Sequence, residues 1–137
     1  MPFFINLKTQ IMNTLTTRIS KEEFKETLEG FAGSENHYLH RLPGGLSCKL
    51  TDGAMYAREY GDAYWLFDAI VSWQVKLKNC PFQVWDLIKQ GNGSWFIQCT
   101  DGNAHVLAAQ EINYTDFPIP EITLWLVDGV CMLPNEY

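Results

Sequence analysis

Asp68 is the first residue whose chemistry asks for an explanation. It sits at the centre of DAYWLFDAIVSWQ, residues 62–74, where nearly every other position is apolar or aromatic. A helix apolar on all sides is a buried helix. A carboxylate inside one must be hydrogen-bonded, paired or protonated. Asp68 is therefore expected to be a buried polar residue. Two uses are open to it. One is a structural network, in which a Tyr hydroxyl, the Trp73 indole N–H or a strand N–H holds it. The other is a pocket acid with a function. The remaining acids of this kind have local explanations: Asp52, Asp62, Asp101, Asp116 and Asp128 stand where caps and turns favour Asp.

Histidine and cysteine offer other chemistry. His37 and His40 are three apart on one strand-like run, so they face opposite ways, and His105 follows a turn. No H-x-H or H-E-x-x-H spacing exists, so these read as ordinary surface histidines rather than metal ligands. Cys48 with His37 or His40 would make a nucleophile–base pair if a hairpin brought them together. The plain alternative is a strand cysteine beside two exposed histidines. Cys48, Cys80, Cys99 and Cys131 are 32, 19 and 32 residues apart. That spacing contains no C-x-x-C and no zinc pattern, so no metal and no cofactor is expected. Cys99 and Cys131 lie in strand-like runs and read as small core residues. No G-x-S-x-G, Walker A or G-x-G-x-x-G motif occurs, and the glycine-rich runs suit turns.

The elements that must position these side chains fall into two halves. Residues 1–19 read as an N-terminal tail, in part disordered, and Met12 offers a second start of translation. Residues 20–137 read as one α+β domain. Ser20 and Glu23 form a capping box for a helix carrying Phe24, Leu28 and Phe31 as one stripe, with Gly30 as its stop. HYLHRL and LSCKL flank Pro43-Gly44-Gly45 as a hairpin. Thr51 caps a short helix to Tyr60. Asp62 caps the central helix, which runs to about Leu77, after a sharp turn at Gly61. From Pro81 the pattern changes to period two. FQVWDLIK, SWFIQCT, HVLAAQEINY, EITLWLV and VCMLP read as strands. Asp128-Gly129 between the last two is the strongest hairpin signal. The expected architecture is an antiparallel four- to five-stranded β-meander with helices packed on one face. Trp95, Ile97, Cys99, Leu124 and Leu126 are core candidates.

Composition narrows the function classes. The chain is 47% hydrophobic with five Trp, which suits a packed domain rather than disorder. No apolar run approaches the ~18 residues of a membrane span, and no signal-peptide pattern stands at the N-terminus. The default is thus a cytoplasmic protein with reduced thiols. The net charge is −6 and the ten basic residues are scattered, which argues against a direct nucleic-acid face. An acidic patch that fills a basic groove on a partner fits this balance, beside the plainer reading of charge as a solubility device.

FAGSENHYLH, LTDGAMYAREYGDAYWLFDAIVSWQ, FQVWDL and QCTDGNAHVLAAQEINYTDFPIPEITLWLVDGVCMLPNEY together resemble a family of small bacterial and phage proteins classed only as a domain of unknown function. The likeness spans about residues 24–137. It rests on the ordered elements YWL-x-DAI, YTDFP and LVDGV, with Met132 where the pattern favours a further aliphatic. The resemblance implies a compact cytosolic protein, often encoded by mobile elements or their hosts, and carries no catalytic residue across.

Three functions follow as expectations. The first is a small, acidic, non-enzymatic binder of a larger bacterial or phage protein, an inhibitor of a defence protein in the manner of anti-CRISPR factors, with a homodimer also open. Its binding residues are expected around the first hairpin and second helix: His37, Tyr38, His40, Asp52, Tyr56, Glu59 and Tyr60. Subtraction picks them, since this region holds more polar and aromatic side chains than folding requires. The second is a protein that sequesters a nucleotide-like small molecule, disfavoured by the shortage of Arg. The third is an enzyme using an Asp/His acid–base pair.

Overall fold

The first helix forms where its capping signals stand. In the computed structural model, which describes residues 19–137, the Glu23 N–H donates to Ser20 Oγ at 3.0 Å and the Glu23 side chain accepts from the Ser20 N–H. This opens α1 (Lys21–Glu29), which buries Phe24 and Leu28 and ends at Gly30. The expectation of an N-terminal tail falls on residues 1–18, outside the described residues. β1 (Tyr38–Arg41) and β2 (Ser47–Leu50) form the first hairpin. Gly44 and Gly45 in its turn both take φ near +90°, which L side chains resist. Thr51 then caps α2 (Asp52–Tyr60), accepting from the Ala54 N–H at 3.2 Å.

α3 (Tyr64–Leu77) follows at once. The chain turns at Gly61, where a Cβ would stand 2.5 Å from the Ala57 carbonyl oxygen and 2.7 Å from the Phe117 ring. Asp62 does not cap α3 as expected. It takes φ +52° inside the turn, and Ala63 precedes the helix with no side-chain cap. A left-handed residue was needed to turn so tightly, and Asp tolerates that conformation.

The sheet is larger than expected, and it is not a simple meander. β3 (Phe82–Lys89), β4 (Trp95–Thr100), β5 (Val106–Ile112), β6 (Glu121–Val127) and β7 (Val130–Met132) join the first hairpin. The seven strands run in the order β1-β2-β7-β6-β3-β4-β5. β3, β4 and β5 are a true meander, but β6 returns to pair with β3 on its other edge. β7 then takes β2 as a parallel partner, Leu50 opposite Cys131, so the sheet is mixed. Asp128 and Gly129, both at positive φ, turn β6 into β7 as expected of a type I′ hairpin.

The three α-helices of the described residues lie on one sheet face, and the core fills the space between. Trp85, Leu87, Ile97, Cys99, Leu124 and Leu126 meet Phe24, Phe67, Ile70 and Val71 there. One polar side chain is fully enclosed with them. Gln83, 1% exposed, accepts from the Trp85 indole N–H at 3.0 Å and donates to the Leu77 and Cys80 carbonyls at 3.1 and 3.0 Å. Its Oε1 also accepts from Gln74 Nε2 on α3 at 2.9 Å, and Gln74 Oε1, 2.9 Å from Gln83 Nε2, shares the two amide hydrogens with those carbonyls. Gln83 thereby satisfies the carbonyls left open at the end of α3.

The C-terminus is tied down through a carboxylate. Glu136, in a 3-10 turn (Pro134–Glu136), accepts from the Thr51 hydroxyl at 2.6 Å, the Gly53 N–H at 2.9 Å and the Leu133 N–H at 2.9 Å. An acid at a helix N-terminus also complements the helix dipole. Glu136→Ala is expected to cost about 2 kcal/mol, the usual scale for hydrogen bonds to a charged group. Urea denaturation measures it, and an unchanged midpoint would refute this account of the C-terminus.

Candidate functional site

Three segments converge at the β1 edge of the helix layer. The hairpin register sets His40 on the helix face, opposite Cys48. α2 turns Arg58 inward on the same side as Ala54 and Ala57. α3 begins with Tyr64 and brings Asp68 one turn later. The result is a chain of hydrogen bonds running from the interior to the surface.

His40 is its centre and is 5% exposed. Its Nε2 lies 2.7 Å from Asp68 Oδ1, and its Nδ1 lies 3.0 Å from Arg58 Nη1. Guanidinium nitrogens only donate. His40 Nδ1 therefore accepts, which puts the ring proton on Nε2, where it is donated to Asp68. Arg58 is buried and directs Nε and Nη2 to Glu59 Oε2 at 3.2 and 3.1 Å. Its Cζ stands 4.6 Å from the centre of the Tyr64 ring, a cation–π contact, while the Tyr64 hydroxyl donates to Glu59. That bond to Glu59 pushes the Tyr64 phenol above its ordinary pKa.

The buried partners are thus cationic or neutral donors, and the groups they fix are acids at the surface. Asp68 is 51% exposed and Glu59 36% exposed. This corrects the expectation of a buried Asp68. α3 is not apolar on all sides. Tyr64, Asp68, Ser72, Val75 and Lys76 form an exposed stripe along it, while Leu66, Phe67, Ile70 and Val71 are buried. The expected hydrogen bond to Asp68 exists, but its donor is a histidine rather than a Tyr, Trp73 or a strand N–H. His40, expected at the surface, is the buried member of the pair.

The other expected site residues divide among three places. Tyr38 and Asp52 pair beside the N-terminus of α2, with the Tyr38 hydroxyl donating to Asp52 Oδ1 at 2.9 Å. This bond lowers the Asp52 pKa and raises that of Tyr38. Tyr56 and Tyr60 stack on each other with ring centres 4.6 Å apart, and Tyr56 continues onto Phe24 and Phe31. Tyr56 is therefore largely a packing residue. His37 is exposed just before β1 and takes no part in the His40 network. Of the expected set, only His40 and Glu59 belong to the network. Arg58 and Tyr64 were missed. One signal pointed to Arg58: it falls on the inward face of α2 with Gly53, Ala54 and Ala57, where a surface charge does not belong.

The arrangement suits binding more than proton transfer. Both ring nitrogens of His40 are engaged, so neither is free to exchange a proton with a substrate. Cys48 stands across from His40 as the hairpin hypothesis required, but burial pushes its thiol up to about 12, so it is no thiolate at neutral pH. Burial likewise raises Cys99 to about 12 and Cys131 well above the ordinary value. Among the described residues, no three His, Cys, Asp or Glu side chains converge on a metal position, and no helix is long and apolar enough to cross a membrane.

A family of unknown function, DUF6876, matches residues 22–137 of the chain. No curated protein and no solved structure matches it.

Proposed function

The chain belongs to the DUF6876 family of unknown function, and from its own side chains we propose that it acts as a non-enzymatic interaction protein. Its binding element is the acidic, aromatic surface of Glu59, Asp68 and Tyr64. One observation carries this: buried Arg58 and His40 spend their hydrogen bonds holding exposed carboxylates in place. Groups held before binding lose little freedom on binding, which raises affinity. The partner that fits is a larger protein with a basic groove. The narrower form of the proposal is an inhibitor of a bacterial defence protein, supported by the small, acidic, motif-free chain and by the resemblance drawn from its sequence.

The test removes charge without removing hydrogen bonds. Asn at 68 still accepts from His40 Nε2, and Gln at 59 still accepts from Arg58. Glu59→Gln with Asp68→Asn keeps these hydrogen bonds but removes the counter-charge of buried Arg58, so a loss of about 1–2 kcal/mol is expected, short of unfolding. Capture of the basic partner from a bacterial lysate should weaken by about 2 kcal/mol, roughly thirtyfold, the scale of an interface hot spot. Equal capture by the variant and the wild-type protein would place the binding surface elsewhere.

A small-ligand reading has one observation of its own. A groove of about 410 Å³ lies between α1 and the segments leading into and out of β6 and β7, lined by Leu28, Ile119, Ile122, Leu133 and Pro134 together with Lys25, Glu29 and Glu121. Its apolar walls suit a hydrophobic molecule better than a nucleotide. A small molecule released from the purified protein and seen by mass spectrometry would favour it.

A further inference from the structure

The sheet face turned away from the helices is the largest part of the molecule that the proposed site leaves unexplained. Period-two alternation sends Phe82, Val84, Ile88, Phe96, Trp125 and Val127 to it. An antiparallel sheet that keeps one face in water normally places polar residues there. Leu39 is 50% and Ile88 39% exposed on this face. Among the described residues, the Tyr137 ring, 5.5 Å from Trp125, is the aromatic contact laid against its centre. Phe82, Val84, Phe96, Trp125 and Val127 are half-buried, and an apolar face with this composition suits an interface.

The charges on this face show which partner it fits. The strand register arranges the side chains in rows. Leu39, Lys49, Val130, Val127 and Phe82 form one, and Met132, Trp125, Val84 and Thr100 the next. Thr123, Asp86, Gln98 and Ala109 form the third, and Glu121, Ile88, Phe96 and Glu111 the fourth. Arg41, opposite Ser47, lies one step beyond the first row. Basic side chains thus occupy one corner, Arg41 and Lys49, and the acid Glu111 the opposite corner, while Glu121 stands at the end of the central strand. Trp125 lies midway between the two corners. By strand order and register, Arg41 stands three strands and two side-chain steps from Trp125 on one side and Glu111 the same count on the other.

We propose that this face is the interface of a homodimer, two copies packed sheet on sheet about a two-fold axis at Trp125. A two-fold axis lying in the interface and crossing the charged diagonal turns each corner onto its opposite. Arg41 of each copy then meets Glu111 of the other, and Lys49 comes over the Asp86–Gln98 pair. The face carries both its own charges and their complement, which is what an isologous contact requires. The apolar rows meet between them at the spacing of a two-sheet core. Asp86, half-buried and hydrogen-bonded by the Thr123 hydroxyl at 2.5 Å, gains a cation, and among the described residues it is in no ion pair. The dimer leaves Glu59 and Asp68 uncovered, so this inference is independent of the proposed function.

Sedimentation of the full chain across micromolar concentrations tests it. The wild-type protein is expected to sediment as a dimer. Arg41→Glu and Glu111→Arg, both at exposed positions, should each weaken dimerisation at least about tenfold. Combining them in one chain should restore it, because the two-fold axis then reunites opposite charges. Trp125→Glu should give a monomer with an unchanged far-ultraviolet spectrum. A monomeric wild-type protein overturns the proposal, and so does a dimer indifferent to Trp125→Glu and Arg41→Glu. Failure of the double variant to regain dimerisation overturns the charge register and the axis with it. A wild-type monomer that captures another protein through Trp125 would assign the face to that partner instead.

Discussion

Gln83→Ala is expected to destabilise the domain by about 4 kcal/mol, far more than a surface substitution. The residue is 1% exposed and satisfies groups on three sides at once. Its loss would orphan the Trp85 indole N–H and strip the Leu77 and Cys80 carbonyls of a donor at the end of α3. Each buried group left unpaired costs about 1–3 kcal/mol. The space left behind adds a cavity term. Gln74 would fare better, because it is only half-buried and water can reach its amide. Gln74→Ala should therefore cost about 1 kcal/mol. Urea denaturation of the two variants separates these cases. If Gln83→Ala lost under about 1 kcal/mol, water would be entering the site and the network would not be what joins α3 to β3.

The parts of this fold that were legible in the sequence are those whose signals are local. Ser20 with Glu23, Thr51 before α2 and Asp128-Gly129 each fix a boundary within a few residues, and each stands where expected. The parallel pairing of β2 with β7 joins residues some eighty positions apart and leaves no local mark, so the sheet read as smaller and simpler than it is. Asp68 was misread for a different reason. Tyr64 and Val75, 48% and 63% exposed, stand on the outer stripe of α3 and disguise it as a buried face. Gln83 carries no warning, because its position in an alternating strand only shows that it faces the core. The site suffered most, since its two buried polar residues, His40 and Arg58, come from separate elements. Only the hairpin register and the inward face of α2 bring them together. Polar networks of this sort are set by tertiary contact, and period or propensity does not encode them.

Arg58→Ala is expected to cost about 3 kcal/mol in stability and to abolish partner capture. The guanidinium touches everything the site depends on: His40 Nδ1, the Glu59 carboxylate and the Tyr64 ring. Removing one partner of a buried charge pair is costly because the others lose their compensation. Here His40 Nδ1 would be left without a donor in a buried position. Asp68 would still accept from Nε2, but the ring would lose the contact that sets its position from the interior side. Glu59 would lose its anchor and swing with Tyr64. Arg58→Lys should rescue part of the stability but little of the capture. An ammonium is a point charge and cannot bridge His40 and Glu59 in the planar geometry of the fork. The contrast with Glu59→Gln plus Asp68→Asn makes the test specific. That pair removes charge and keeps the scaffold's hydrogen bonds, so binding falls while most of the stability is kept. Arg58→Ala removes the scaffold and keeps both acids, so stability and binding fall together. Thermal melts and capture measured on the same preparations read both quantities. If Arg58→Ala kept full capture despite its lost stability, the fixed orientation of Glu59 and Asp68 would be irrelevant to binding.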